Sequence, residues 1–457
     1  MLFNSIPFLI FFTIYISSIF FIRNQWKIIT IIFSIFFYAY WNFYFCFLLI
    51  LEAIFTWLIG NLIQKKDKHK KKYLLTGLVV PLIILFIFKY FNFFVSDILR
   101  IELQNTIFIN IILPIGISFY TFQSIMYLVD VYKDKLQDVS LKNFLVFFLF
   151  FPNLIAGPLV RPKSFIPQIN SGIRFSYKNF TTGSLLILWG YFLKLCVSNN
   201  LNIYVGNVFN NILELNSSTL LISSFFYSFL IYSDFAGYSL IAIGIAKLLG
   251  LNVPANFNNP FLSQNITEFW RRWHISLSKF LRDYLYIPLG GNRYGLFATC
   301  RNIIIVMLLG GLWHGASFNF IIWGGLHGIA ISLEKVNKNY FNININFTPL
   351  KRILTFFLVV IFFIPFGLPS FDSLILFWQQ IKIFEILNVS QIVEKFYVIR
   401  NLILIIILLS IETFINKKYF LQIKKSSLLY GFTITILLSL IICFGNFNET
   451  TFIYFQF

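Results

Sequence analysis

The sequence predicts an all-α fold, a polytopic membrane protein of about 10–12 transmembrane helices with re-entrant segments among them. Three observations carry that reading. Of 457 residues, 58% are hydrophobic and 12% charged, roughly half the charge of a soluble domain. Apolar runs of the ~20 residues needed to cross a bilayer recur along almost the whole chain. Basic residues sit in short clusters between those runs, the pattern that orients a membrane protein. The net charge of +19, from 36 Lys+Arg against 17 Asp+Glu, is therefore no nucleic-acid signal. One membrane domain over 1–457 is expected, with N-terminal spans in 3–132 and C-terminal spans in 353–446. Between them a core at 143–332 holds re-entrant and interfacial helices, and an aromatic tail follows at 447–457.

The elements are counted outwards from the largest basic cluster, Lys65, Lys66, Lys68, Lys70, Lys71 and Lys72, placed in the cytoplasm. Residues 3–22 form one span and 28–63 form two, broken near Asn42, so Arg23 and Lys27 lie inside and the N-terminus outside. Spans at 73–97 and 107–130 follow. Residues 143–160 are apolar but hold Pro152, Gly157 and Pro158, with basic residues on both sides. Such a segment reads as re-entrant, because non-helical backbone at membrane depth needs surrounding protein or a water-filled cavity. Crossings at 180–200 and 217–247 lead to a less hydrophobic cytoplasmic stretch at 250–300. A glycine-interrupted apolar run at 303–332 and spans at 353–370, 400–416 and 427–446 complete the count. Lys417, Lys418, Lys424 and Lys425 are placed inside, so the C-terminus lies outside. Residues 1–22 lack the basic start and small-residue cleavage site of a signal peptide. Cys46, Cys196, Cys300 and Cys443 have no CxxC spacing, so neither a disulfide framework nor a zinc motif is read.

Chemistry must come from the few polar groups placed where they are costly. His69 lies in the lysine loop and reads as a solvated bystander. His314 lies inside an apolar run between Gly311 and Gly315. An ionisable residue at membrane depth is a functional candidate, while Gly311-x-x-x-Gly315 and Gly324-x-x-x-Gly328 equally suit close helix packing. His327 reads first as a packing residue. His274 lies in a segment where Phe269, Trp273, Leu277, Phe280 and Tyr284 recur at helical spacing, with Arg271, Lys279, Arg282 and Asp283 on the other side. That pattern predicts one interfacial amphipathic helix, with His274 at the border of its apolar face. Asn265 with Glu268 three residues on makes a capped start. The histidine spacings of 40 and 13 residues match no metal-binding pattern. Asp234, isolated in an apolar run, is expected to pair with a basic residue of 271–282.

Four stretches then carry a family resemblance: 114–123 (PIGISFYTFQ), 151–158 (FPNLIAGP), 265–293 ending YIPLGGNR, and 311–315 (GLWHG). Together, in this order, they resemble the membrane-bound O-acyltransferase family, in its alginate O-acetylase and peptidoglycan O-acetyltransferase branch. The resemblance implies a ring of helices around a central tunnel, with a cytoplasmic donor thioester and acyl leaving on the outer side. It places His314 at the family's essential histidine, as general base. His274 falls at the second catalytic position, where it or a nearby donor orients the thioester or stabilises the oxyanion. Arg271, Arg272, Lys279 and Arg282 are candidates for the phosphates of coenzyme A, or for lipid phosphate. No permanently bound cofactor is implied, since acetyl-CoA is the donor substrate.

The tail Thr451-Phe452-Ile453-Tyr454-Phe455-Gln456-Phe457 is similar to the C-terminal tyrosine motif of a small companion protein in teichoic-acid D-alanylation. By that resemblance Tyr454 is a candidate acyl carrier; the alternative is an aromatic-belt anchor. The implied partners are membrane lipid, acetyl-CoA and a periplasmic O-acetyltransferase acting on a glycan, with no nucleic acid. The implied location is the bacterial inner membrane, multi-pass, with both termini periplasmic. Heavy use of Phe, Ile, Asn and Lys points to an AT-rich genome, which favours peptidoglycan over an alginate-like exopolysaccharide as the glycan. A transporter or flippase, or a scaffold for glycan export, are the readings from other classes.

Overall fold

The computed structural model describes residues 1–65, 67–101, 112–343, 345–382, 395–414, 426–448 and 452, and among them the regular structure is entirely helical. Eight described helices are long and apolar enough to cross a membrane: Phe43–Lys65, Lys70–Tyr90, Tyr177–Asn210, Ser217–Leu248, Gly295–His314, Thr348–Gly367, Lys395–Thr413 and Ser427–Phe444. A ninth arises if Ile6–Phe21 and Arg23–Ala39, bent by 111° at their junction, count as one. Outward-facing side chains such as Phe21, Phe297 and Leu428 are more than four-fifths exposed, which suits lipid rather than water. The chain is an all-α polytopic membrane protein.

Eight or nine crossings of the ten to twelve expected thus lie among the described residues, and two N-terminal helices are too short to cross singly. Ile6–Phe21 has 16 residues and Trp26–Ala39 has 14. At ~1.5 Å per residue each falls short of a ~30 Å hydrocarbon layer. The break expected near Asn42 is present, and the Asn42 carboxamide accepts the Phe45 N–H at 3.1 Å. The span expected at 107–130 begins in 102–111, outside the described residues, and continues as Ile117–Tyr132. Lys66, Lys417, Lys418, Lys424, Lys425 and Tyr454 also lie outside the described residues.

Two compact units interleave along the sequence: Met1–Ile187 with Tyr238–Pro254, and Leu188–Gly237 with Ala255–Phe457. In the first, the 143–160 segment forms Leu141–Leu149 and the one-turn Phe151–Leu154, not a crossing. Every residue from 146 to 160 is buried by protein, the condition under which broken backbone survives in a membrane. The Asn153 side chain donates to the Pro158 carbonyl at 2.8 Å, and Ser34 Oγ accepts the Phe151 N–H at 3.2 Å.

In the second unit Asp234 finds a different partner from the one expected. Its carboxylate meets Lys194 Nζ at 2.5 Å and accepts the Ser198 hydroxyl at 3.1 Å. Both charges are buried, 9% and 2% exposed. Cations of 271–282 are engaged locally instead: Arg272 pairs with Glu268 and Arg282 with Asp283, each at 2.7 Å. Removing one member of a buried pair leaves an uncompensated charge, so Lys194→Ala should destabilise the protein by ~3–5 kcal/mol. The double variant Lys194→Met/Asp234→Leu should recover most of it. Thermal unfolding in detergent compares the two, and equal losses in both sink the argument.

Candidate active site

The site is built on a helix that stops where periodicity says it should continue. Asn265 caps Ile266–Arg272, its side chain accepting the Glu268 N–H at 2.7 Å, while Glu268 accepts the Gln264 N–H at 2.8 Å. This is the expected capped start, with the return bond one residue earlier than in the usual box. The Glu334 carboxylate adds a second cap, accepting the N–H groups of Ile266 and Thr267 at 2.6 and 3.0 Å. The expected single amphipathic helix then breaks. Trp273 is extended, His274 is left-handed at φ 38°, and a new helix runs Ile275–Leu281.

Residues 256–258 hold the break open. Asn258 N–H donates to the Arg272 carbonyl at 3.0 Å, and Ile275 N–H donates to the Asn256 carbonyl at 2.8 Å. Ser276 Oγ donates to Asn256 Oδ1 at 2.6 Å. A left-handed non-glycine residue is a local cost of order 1–3 kcal/mol, met here by these bonds. The amphipathic division itself holds: Phe269, Trp273, Leu277 and Phe280 are buried, whereas Arg271, Lys279 and Arg282 are exposed. His274, expected at the border, is fully buried, and neither ring nitrogen has a hydrogen-bond partner among the described residues. Burial drives its pKa well below the usual histidine value, so the imidazole is neutral at pH 7.

His314 ends the helix Gly295–His314. The chain turns through Gly315 and returns as Phe318–Val336, whose start is capped by Ser317 accepting the Asn319 N–H. The two helices meet at their glycines. A Cβ on Gly311 would sit 2.1 Å from the Phe320 carbonyl oxygen, and one on Gly324 would sit 2.2 Å from that of Met307. The close-packing reading of the GxxxG pattern therefore holds: glycine packing fixes the register, and the register delivers His314 to a ring cluster. Its imidazole is 3% exposed. It packs against Trp313 (4.8 Å between centroids), Trp323 (4.9 Å) and Phe366 (5.1 Å). His274 lies 6.5 Å away, reached also through Trp313 at 6.0 Å.

The structure thus brings together the two histidines singled out from the sequence, although 40 residues separate them. His327 takes the packing place expected of it. It is fully buried, stacks on Phe269 at 5.9 Å, and its Nδ1 accepts the Trp270 indole N–H at 3.2 Å. Of the candidate phosphate ligands, Arg272 and Arg282 are occupied by carboxylates, while Arg271 and Lys279 face outward. Tyr454 lies outside the described residues, but the chain leading to it is held. Asn199 donates to the Asn446 carbonyl at 2.8 Å, and Asn200 donates to that of Phe444 at 2.9 Å. Phe452 is buried, 6.1 Å from Phe235, whose ring lies 4.6 Å from that of His274. Sequence reasoning missed Trp323, Asn256 and the Trp270–His327 bond. The four-residue spacing of Asn319, Trp323 and His327 was a readable signal for the first.

Residues 33–377 match the family model MBOAT, membrane-bound O-acyltransferase family. A probable alginate O-acetylase of Pseudomonas aeruginosa is 40% identical over 351 residues, covering 74% of this chain and 66% of that protein. A peptidoglycan O-acetyltransferase of Helicobacter pylori is 37% identical over 338 residues, covering 68% of this chain and 64% of that protein. A teichoic acid D-alanyltransferase of Bacillus subtilis is 30% identical over 285 residues, covering 58% and 70%. The alignments thus span about two thirds of the length of the first two relatives. With that match over most of its length, and two buried histidines joined in one aromatic cluster, this chain belongs to the membrane-bound O-acyltransferase family.

Proposed function

We propose that this protein moves acetyl from cytoplasmic acetyl-CoA across the inner membrane for O-acetylation of a cell-envelope glycan. A periplasmic partner completes the transfer, and peptidoglycan is the first candidate glycan. The observation that carries the reading is the approach of His314 to the neutral, fully buried His274 within 6.5 Å. His314 takes the proton of an acceptor hydroxyl as its oxygen attacks the thioester carbonyl. His274, with one donor and one acceptor nitrogen as a neutral ring, orients the thioester. Collapse of the tetrahedral intermediate expels the thiolate of coenzyme A, which takes the proton back from His314.

An alginate-like exopolysaccharide is the second reading, supported by the 40% identity to the Pseudomonas protein. Base-labile acetate on peptidoglycan and on exopolysaccharide, compared between wild-type, deletion and His314→Ala cells, separates the two glycans. Loss of acetate from one fraction alone names the substrate. Acetate unchanged in both sinks the acyltransferase reading in favour of a transporter, flippase or export scaffold.

Tyr454 is the proposed acyl carrier, accepting acetyl with His314 as base and passing it to the partner. Support comes from Phe452, two residues earlier, buried beside Phe235. Mass spectrometry of protein from actively acetylating cells should find an acetyl ester on Tyr454. Its absence while the glycan is still acetylated leaves the tail as an anchor.

A further inference from the structure

We propose that the indole N–H of Trp323 is the oxyanion donor of the His314 site. The assignment rests on the acyl-transfer reading and deepens it. Acyl transfer places a negative charge on the former carbonyl oxygen, and enzymes of this kind meet it with a fixed N–H or O–H donor. That donor is buried, rigid and without an acceptor until the substrate arrives. Such groups are rare, because leaving a buried polar group unsatisfied is costly and native structures hold few of them.

Trp323 has each property. It is 1% exposed, and its Nε1 has no hydrogen-bond partner among the described residues. An indole N–H can only donate. Four rings besides His314 hold the indole: His327 and Phe366 at 5.0 Å, Trp270 at 5.7 Å and Phe363 at 6.4 Å. The ring is therefore oriented before any substrate arrives.

Its position suits the task. The centroids of Trp323 and His314 lie 4.9 Å apart with planes at 85°. Groups at that separation both reach a reacting centre ~3 Å from each. His274 is farther from the base, at 6.5 Å, and its single N–H is already assigned to orienting the thioester. The helix repeats the pattern on either side of Trp323. Asn319 Oδ1 and His327 Nε2 are likewise buried without partners, one turn before and one turn after. Because the Trp270 N–H already occupies His327 Nδ1, neutral His327 carries its proton on Nε2. Three unsatisfied polar atoms thus follow one stripe of Phe318–Val336, and the ring that carries the middle one packs against the base.

In the reaction, the acceptor oxygen forms a bond to the carbonyl carbon and its proton moves to His314. The carbonyl π pair moves onto oxygen and is held by the Trp323 N–H. When that pair returns, the carbon–sulfur bond breaks, and the departing thiolate takes the proton from His314.

The test replaces the N–H and leaves the ring. Full-length protein carrying 3-benzothienylalanine at position 323, in which sulfur stands for the indole nitrogen, is compared with wild type and Trp323→Phe. Membranes receive labelled acetyl-CoA, and the initial rate of base-labile acetate formation is followed against donor concentration. Loss of one oxyanion donor lowers kcat by about 10²–10³-fold, with the half-saturating acetyl-CoA concentration and detergent Tm nearly unchanged. A benzothienyl variant within threefold of wild-type kcat overturns the assignment, as does a variant altered only in half-saturation or Tm. Wild-type membranes that transfer no acetate, or transfer it equally well with His314→Ala, overturn the underlying reading and this assignment with it.

Discussion

Membranes carrying His314→Gln should transfer acetyl at least ~10²-fold more slowly than wild type, the lower bound for losing a positioned general base. The protein should still insert and remain folded. Glutamine keeps a polar group of similar size at the end of Gly295–His314, and the glycine contact with the returning helix is untouched. Glutamine has no side-chain nitrogen that accepts a proton at neutral pH, so the loss falls on kcat rather than on donor binding. Initial rates with labelled acetyl-CoA, paired with thermal unfolding in detergent, separate chemistry from stability. A folded variant within tenfold of wild type removes His314 from the base position. The parallel His274→Gln variant is expected to raise the half-saturating acetyl-CoA concentration as well as lower kcat, because that ring is assigned to orienting the donor.

The second large effect falls on the helix hairpin. Gly324→Ala should destabilise the protein by at least ~2–3 kcal/mol, towards the upper end of overpacking costs. The added methyl would lie 2.2 Å from the Met307 carbonyl oxygen and 3.3 Å from Gly311 Cα. Both obstacles are backbone, so the helices must separate. Alanine gains roughly 1 kcal/mol of helix propensity over glycine, but that gain is smaller than the clash. Gly325→Ala is the internal control, since its methyl meets only Leu308 Cδ2 at 3.5 Å, an ordinary contact. It should be neutral or slightly stabilising. Detergent melting of the two variants reads the difference directly, and equal behaviour overturns the close-packing account. Because the same contact sets the register of His314 against Trp323, any Gly324→Ala protein that does fold should also lose activity.

How much of this was legible before the structure depends on how far apart the partners lie. The Asn265 cap involves residues three and four apart, and local spacing announces it. Glycines four apart announced a close helix contact, which Gly311 and Gly324 make. The Asp234 partner was misread. Lys194 lies 40 residues upstream, and no periodicity connects the two. Hydropathy detects apolar length and not the 111° bend between Ile6–Phe21 and the helix after it, so that bend was not legible in the sequence. Continuous amphipathicity from 269 to 284 predicted one helix. The break at Trp273 and His274 depends on backbone bonds from Asn256 and Asn258, which a helical wheel does not contain.

By itself, the sequence determined that this protein lives in a bilayer as an all-α chain and which histidines were worth following. Composition and spacing suffice for that, because lipid admits few polar groups and each one stands out. Tertiary structure alone decided that His274 is buried at a left-handed break, that it lies 6.5 Å from His314, and that Trp323, with its N–H unpartnered among the described residues, packs in the same cluster. Those are properties of packing between segments distant in sequence, and the glycine register that sets them is a contact between two backbones.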